Sequence, residues 1–356
     1  MSRIAIEGIA KSFGRHRVLD GVTLDIPSGS LTVLCGPPQA GKSVLLRLLV
    51  GLETLDAGRI TIDGQDLAAL TPAQRSIGYV PQSFALLPQM SVFDNIAYPL
   101  RMQKSPNDEI RRRVGEAAAV LRIGGLLEKR PDQLSGGEKQ RVAIARGMLK
   151  QATVFVLDDP LVGLDFKLRE ALMDDLKDMR VALGATFVYA TSDSLEALAM
   201  ADRLAVLDAG RLIADDGPDQ VYHAPPHLRA AELIGFPRCN LVAGRAGGGR
   251  CATALGMVRL EGEGEVVLAI RPEQIRFTDV QSGGLHGVGH VALIENLGAD
   301  SVVHLDVHEI RLVAIPTTES VAGLDVGDEV AFAIDPASLS VFGAASGVRL
   351  MQGASS

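Results

Sequence analysis

The sequence contains few cysteines and no long uncharged apolar stretch. Its three cysteines, Cys35, Cys239 and Cys251, are odd in number and far apart, which argues against a disulfide framework. No run approaches the roughly 18 uncharged residues that a membrane-spanning helix needs. The first residues show no apolar signal core. We therefore expect an intracellular chain whose association with any membrane is peripheral.

An excess of positive charge is also missing. The chain has 35 Lys and Arg against 43 Asp and Glu, a formal net charge of −8. Proteins that bind nucleic acid through its phosphates usually present a basic surface, so no nucleic acid partner is expected. We find no internal repeat. The 356 residues are enough for two or three domains with large cores of their own.

Up to about residue 236, short apolar runs alternate with helical patterns. The runs at 31–35, 154–157 and 186–189 each predict a buried strand, and helical segments follow the first two. This alternation is typical of a parallel α/β sheet. Between residues 88 and 150 the β-branched runs become rare and charged helical segments replace them, which predicts an inserted helical subdomain.

The pattern changes beyond the prolines at 225, 226 and 237, which limit helix continuation. Short strand-like segments separated by Gly and Asp turns follow, as in a small β-barrel or sandwich. Three of them are 265–270, 301–305 and 329–334. We therefore predict domains at 1–236 and 237–356. The second has eight arginines, no lysine and 14 acidic residues, with no obvious catalytic cluster.

A glycine-rich segment follows the first predicted strand. It reads Gly36-Pro37-Pro38-Gln39-Ala40-Gly41-Lys42-Ser43, and Val44 continues into an apolar helix. This fits G-x-x-x-x-G-K-S, in which backbone N–H groups surround phosphate oxygens at a helix N-terminus. Lys42 is predicted to reach the β- and γ-phosphates, and the Ser43 hydroxyl to ligate Mg²⁺. By itself the loop does not distinguish a kinase, a GTPase or a transport ATPase.

Two aspartates follow the apolar run at 154–157. Asp158 can hold Mg²⁺ at the end of its strand. Asp159 is the candidate for orienting and deprotonating the attacking water. Simple capping of the next turn is the alternative for both carboxylates.

A second glycine-rich segment points to a family. It reads Leu134-Ser135-Gly136-Gly137-Glu138-Lys139-Gln140-Arg141. This run closely resembles the signature loop of ATP-binding cassette (ABC) proteins, and segments 36–43 and 154–160 resemble their Walker A and Walker B motifs. A Ser-Gly-Gly start to a helix is a second anion site. The resemblance implies that Ser135, Gly136, Gly137 and Glu138 contact the ATP of an opposite subunit, so that two cassettes enclose two nucleotides.

The same resemblance implies roles for single residues. Phe13 matches the aromatic that stacks on adenine, although packing in the core is the alternative for a lone aromatic. Gln82 matches the Q-loop glutamine, which contacts Mg²⁺ and moves with the membrane subunit. Asp165 matches the D-loop aspartate at the subunit interface. The segment 84–93 either forms part of the groove for a helix of the membrane subunit or packs inside the helical subdomain.

Landmarks near the C-terminus extend the resemblance over essentially the whole chain. Segments 270–273, 295–300 and 326–329 look like those of the TOBE domain in ATPases of sugar and polyol importers. The implied fold is an α/β P-loop NTPase cassette, a parallel-sheet core with an inserted helical subdomain, followed by a small all-β, OB-like domain. The implied cofactors are ATP and Mg²⁺. The implied partners are a second ATPase, two integral membrane permease subunits and, indirectly, an extracytoplasmic substrate-binding protein, which places the chain at the cytoplasmic face of the inner membrane.

Two positions depart from the family pattern. The residue after the Walker B aspartate is usually glutamate and here is Asp159, and Ser192 stands where the family usually has a switch histidine. A misplacement of about 1 Å can cost about a hundredfold in rate, and loss of a preorganised donor about 10²–10³. We therefore expect a site that binds MgATP but hydrolyses it slowly, paired with a second, different ATPase. The alternatives are a homodimer with two slow sites, a soluble ABC protein of translation or DNA repair, and a mainly regulatory protein.

Overall fold

A computed structural model describes residues 1–150, 152–278 and 285–350. The chain divides into two compact units, of which the first ends at Pro218 and the second begins at Asp219. The domain limits inferred from the later prolines, 1–236 and 237–356, stay a prediction.

The first unit contains ten strands and six α-helices within the described residues. They are β1 (Ile4–Phe13), β2 (His16–Ile26), β3 (Leu31–Cys35), α1 (Lys42–Val50), β4 (Ala57–Ile62), β5 (Gln65–Asp66), β6 (Ile77–Val80), α2 (Val92–Met102), α3 (Asn107–Val120), α4 (Gly136–Met148), β7 (Val154–Asp158), α5 (Phe166–Leu183), β8 (Thr186–Thr191), α6 (Ser194–Met200), β9 (Arg203–Asp208) and β10 (Arg211–Asp216).

A six-stranded sheet forms the centre of this unit, in the order β10-β9-β3-β8-β7-β6. Its strands run parallel except for β10 at the edge, which pairs antiparallel with β9. Every residue of β3, β7 and β8 is buried, as expected of parallel strands covered on both faces. The predicted strands and the α/β class are confirmed. The carboxyl ends of β3, β7 and β8 therefore meet at one edge.

A second sheet, in the order β2-β1-β4-β5, is antiparallel and was not predicted. Only residues 14 and 15 separate β1 from β2. Two residues can close a hairpin but are far too few for the crossover that parallel strands need. These strands therefore form an antiparallel sheet in addition to the predicted parallel one.

Helices α2, α3 and α4 lie between β6 and β7, inside the segment predicted as helical. The buried side chain of Asn95 fastens α2 to the preceding loop. Its Oδ1 accepts from the Leu87 amide at 2.7 Å, and its Nδ2 donates to the Leu87 carbonyl at 3.0 Å. Of the apolar side chains in 84–93, Val92 is buried and the others remain partly exposed.

The second unit is mostly antiparallel β-structure. Its elements are α7 (Pro218–His223), α8 (Leu228–Leu233), β11 (Asn240–Gly247), β12 (Arg250–Thr253), β13 (Gly256–Arg259), β14 (Gly264–Ile270), β15 (Ile275–Phe277), β16 (Leu285–Asn296), β17 (Ser301–Val307), β18 (Ile310–Ala314), α9 (Thr318–Val321), β19 (Glu329–Ile334) and β20 (Ser340–Gly343). Two five-stranded sheets share one apolar core. The predicted β domain is confirmed. Among the described residues, no helix is both long and apolar enough to cross a membrane.

Candidate nucleotide site

The P-loop, residues 36–43, connects β3 to α1 at the edge where the buried strands end. Gly36 has φ +155°, and a Cβ built there would lie 2.1 Å from the Leu207 carbonyl oxygen. Gly41 precedes α1 with φ +104°. No side chain fits at Gly36, and both backbone conformations favour glycine. The two motif glycines are therefore explained by close backbone approach and by the turn into the helix.

Lys42 is buried, and its ammonium group stays within the loop. Its Nζ donates to the carbonyls of Gly36 at 2.6 Å and Pro37 at 3.0 Å. Burial lowers the pKa of Lys42, whereas the nearby carboxylates Asp158 and Asp159 act in the opposite direction. A phosphate bound in the loop would replace these neutral carbonyl acceptors with anionic oxygens, so that donor and acceptor are both charged.

Ser43 and Asp158 meet at the end of β7. The Ser43 Oγ donates to Asp158 Oδ1 at 2.8 Å, and the Tyr79 hydroxyl lies 3.4 Å from Asp158 Oδ2. Asp158 is buried. Mg²⁺ prefers oxygen ligands and usually takes one or two carboxylates together with substrate phosphates. This hydroxyl and carboxylate fit that requirement.

Asp159 lies beside this pair in a left-handed conformation, with φ +49°. Its amide donates to the carbonyl of Ala190 on β8 at 2.9 Å. Burial raises the pKa of Asp159; Lys42 opposes the shift, and the negative charges of Asp158 and Asp193 add to it. A raised pKa makes the carboxylate a better proton acceptor than a solvated aspartate.

Ser192 is exposed and follows the end of β8. Its two neighbours are fixed by hydrogen bonds. The Thr191 Oγ1 donates to Glu196 Oε2 at 2.8 Å and accepts from the Asp193 amide at 3.0 Å. Asp193 in turn caps α6 by accepting from the amides of Leu195 and Glu196. The position of Ser192 is thus set by rigid flanking residues.

The buried carboxylate of Glu196 has a second donor in Tyr189. The hydroxyl of Tyr189, whose side chain is fully buried, donates to Glu196 Oε2 at 2.8 Å. Burial raises the pKa of Glu196, while the bonds from Thr191 and Tyr189 lower it. Buried polar groups cost stability when a partner is lost, so this pair supports the end of β8.

Replacing Tyr189 with phenylalanine tests that support. Loss of one donor to a buried carboxylate is expected to lower the free energy of unfolding by about 1–2 kcal/mol, measured by chemical denaturation. Tyr98→Phe is the control because Tyr98 is 39% exposed. Its effect is expected to stay within about 0.5 kcal/mol. Equal effects of the two changes would contradict a structural role for the Tyr189 hydroxyl.

Gln82 is exposed in the loop that follows β6. Further along this loop, Phe84 and Ala85 both have positive φ, at +59° and +46°. Arg146 on α4 donates to the Phe84 carbonyl at 2.8 Å and to the Ala85 carbonyl at 2.6 Å. The loop after Gln82 is therefore attached to α4.

The signature segment, residues 134–141, starts α4 with a capping box. The Ser135 Oγ accepts from the Glu138 amide at 3.3 Å, and Glu138 Oε2 accepts from the Ser135 amide at 2.7 Å. Ser135 and Gly136 are exposed. A Cβ on Gly137 would lie 2.2 Å from Leu168 Cδ2, so α4 packs closely on α5 there.

Within the described residues, no hydrogen bond joins the signature segment to the P-loop. The structure thus brings together Lys42, Ser43, Asp158 and Asp159. In the signature segment, Ser135 and Gly136 are exposed, whereas Gly137 is buried. The role of Ser135 to Glu138 at another subunit's nucleotide stays a prediction.

Phe13 and Asp165 occupy element ends. Phe13 ends β1 with 45% of its surface exposed, and the Lys11 Nζ lies 5.0 Å from its ring centroid. Asp165 caps α5 by accepting from the Leu168 amide at 3.0 Å. An exposed ring is available for stacking, so the core-packing alternative for Phe13 is not favoured.

Comparison with known proteins agrees with this geometry. A model of the ABC transporter family matches residues 19–162, and a TOBE domain model matches residues 268–342. The sn-glycerol-3-phosphate import ATP-binding protein UgpC 1 of Rhizobium johnstonii is 38% identical over 98% of this chain and 96% of its own length. The lactose transport ATP-binding protein LacK of Rhizobium radiobacter is 35% identical over 98% of this chain and 100% of its own length.

A solved structure of an ATP-binding cassette is similar to part of this chain. It is the dimeric post-hydrolysis state of the ATP-binding cassette MJ0796 bound to ADP and Pi, with a TM-score of 0.56 and 27% identity, covering 60% of this chain and 98% of that one. The chain therefore belongs to the family of ATP-binding proteins of ABC transporters. It is an ATP hydrolase of that family, with a cassette followed by a TOBE domain.

Sequence reasoning missed three residues near this site: Tyr79, Glu196 and Arg169. Tyr79 stands in the middle of a short strand, where nothing marks its hydroxyl as facing Asp158. Glu196 and Arg169 are ordinary charged residues of helices in the sequence. Their charge at positions that become buried or half-buried was the only available signal.

Proposed function

We propose that this protein is the energy-coupling ATPase subunit of an importer for a carbohydrate, a polyol or a polyol phosphate. The observation that carries the proposal is the contact of 2.8 Å between Ser43, the last residue of the P-loop, and Asp158. We interpret this contact as part of a nucleotide site. The chain that holds it is similar over its whole length to import and sugar-transport ATPases. The chain is assigned to the cytoplasmic face of the inner membrane, bound to two permease subunits that receive cargo from an extracytoplasmic binding protein.

Binding of MgATP is assigned to the residues gathered at the edge of the parallel sheet. The P-loop amides and Lys42 hold the phosphates, Val44 continues the helix whose N-terminus faces them, and Phe13 stacks on adenine. Ser43 and Asp158, with Gln82, are the oxygen donors for Mg²⁺, which when bound neutralises charge on the phosphates. Asp159 orients the attacking water and accepts its proton.

The chain's own site is proposed to turn over slowly. Asp159 carries its carboxylate on a stem one carbon shorter than glutamate, and Ser192 lacks the reach of an imidazole. The signature segment, by contrast, retains its capping box and its close packing on α5. We therefore propose that it completes the site of a second ATPase subunit that has the usual Glu and His. A homodimer with two slow sites is the competing assembly.

Asp159→Asn in the assembled transporter tests this asymmetry. Because Asp159 contributes little to turnover in the proposed complex, ATP hydrolysis is expected to fall less than about threefold. The equivalent change in the partner ATPase is expected to lower it about a hundredfold or more. Both rates are measured on detergent-purified complexes at saturating ATP.

The composition of the complex is the control for that comparison. Purification from solubilised membranes is expected to recover two distinct ATPase chains with two permease chains. If Asp159→Asn alone abolishes turnover, the slow-site proposal is wrong. Recovery of a soluble homodimer without permeases would count against transport itself.

A further inference from the structure

Arg169 contacts the segments of two residues singled out in the sequence, Asp165 and Ser192. It lies in the first turn of α5, four residues after Asp165. Its Nη2 donates to the Leu164 carbonyl at 3.3 Å, in the loop that leads to Asp165. Its Nη1 donates to Asp193 Oδ2 at 3.1 Å, directly after Ser192. One guanidinium group therefore spans both segments.

The acceptors at the Ser192 end form a rigid set. Asp193 uses its other carboxylate oxygen, Oδ1, for the amides of Leu195 and Glu196, at 2.9 and 3.2 Å. The Glu196 Oε1 lies 3.6 Å from Arg169 Nε, and the side chain of Glu196 is only 6% exposed. These groups are held in place by α6 and β8. If the loop that contains Leu164 moves, Arg169 must therefore either break its contacts with them or displace the Ser192 segment.

We propose that Arg169 is a positioning residue that couples the Asp165 loop to the Ser192 segment, so that both change conformation together during ATP turnover. The inference rests on the proposed function, since it assumes that Asp165 faces the opposite ATPase. A planar guanidinium with donors in a fixed fork can hold a carbonyl and a carboxylate at once, whereas an ammonium group has no such geometry.

Arg169→Gln in the full chain, assembled with its transporter partners, tests the coupling. Because Asp165 is taken to face the partner ATPase, whose site carries most of the turnover in the proposed complex, we expect kcat for ATP to fall about tenfold, in the range that small misplacements cause. KM and the affinity for a fluorescent ATP analogue are expected to change less than about twofold, because no contact of Arg169 lies in the P-loop. Arg169→Lys is expected to recover no more than about a third of the lost rate.

The matched control is Arg180→Gln. Arg180 lies on the same helix and pairs with Asp202, near the other end of α5 from the site. This change removes a comparable ion pair and is expected to leave kcat within about twofold. Thermal unfolding of both variants separates loss of stability from loss of coupling.

Two results would overturn the proposal: equal kcat for the two variants, or a parallel loss of kcat, nucleotide affinity and melting temperature in Arg169→Gln. If Arg169→Gln does not fold, Asp193→Asn removes the other end of the contact, and the same split between kcat and KM is required. If the unaltered chain does not bind ATP, the proposed function is wrong as well. If it binds ATP and only the expected effects of the variants are missing, the coupling proposal alone is wrong.

Discussion

Changing Asp159 to glutamate and Ser192 to histidine together is expected to raise ATP turnover at this chain's own site by about a hundredfold. The longer side chain of glutamate moves the carboxylate that accepts the proton by about one bond length. The imidazole of histidine adds a hydrogen-bond donor toward the γ-phosphate. Since Thr191 and Asp193 fix the backbone on both sides of residue 192, the new side chain starts from a defined position. Single-turnover hydrolysis by the full-length chain in its complex measures the gain.

The single changes show whether the two residues act on one event. Asp159→Glu alone and Ser192→His alone are each expected to recover only part of the gain, with a non-additive total. The left-handed backbone at residue 159 suits aspartate better than glutamate and costs about 1 kcal/mol or more for most side chains. Asp108→Glu, an exposed aspartate on α3, is the control. A double variant no faster than the unaltered protein would refute the explanation of slow turnover.

Lys42→Met is expected to weaken nucleotide binding about a hundredfold. The ammonium group is buried and held between the Gly36 and Pro37 carbonyls, so its charge is directed into the loop. Hydrogen bonds from a charged donor contribute about 1.5–3 kcal/mol, and two of them to phosphate oxygens account for a loss of this size. Titration of the full-length chain with a fluorescent ATP analogue measures the affinity.

Lys150→Met is the matched control for this variant. Lys150 also donates to a backbone carbonyl, that of Pro72 at 3.3 Å, and burial likewise lowers its pKa. It lies outside the P-loop, so the affinity for ATP is expected to change less than about twofold. Equal losses in the two variants would mean that burying a lysine, rather than contacting phosphate, explains the effect of Lys42.

In the cassette, the strands that sequence analysis located are those whose burial is uniform. β3, β7 and β8 are continuous apolar runs because both faces of the parallel sheet are covered. In β1 and β2, by contrast, buried and exposed residues mix and the pairing shifts register at three places. Such a pattern does not show its partner, which is why the antiparallel sheet was missed.

The same distinction applies to the site. Local motifs identified the P-loop, Asp158 and the signature segment that begins helix α4, since each depends on residues adjacent in sequence. The Tyr79 contact with Asp158 and the Arg169 contact with Asp193 join residues 79 and 24 positions apart. Only the fold brings these pairs together, so no spacing rule could have found them.

Helix α4 also determines the timing of movements at its two ends. Ser135 caps its start, and Arg146, which holds the loop after Gln82, lies eleven residues further along. At 1.5 Å per residue these points are about 16 Å apart. A helix of this length moves as one rod, so a push on the loop displaces both points simultaneously. Fluorescent probes at the two ends of α4 should therefore report one shared relaxation time, with no lag between them.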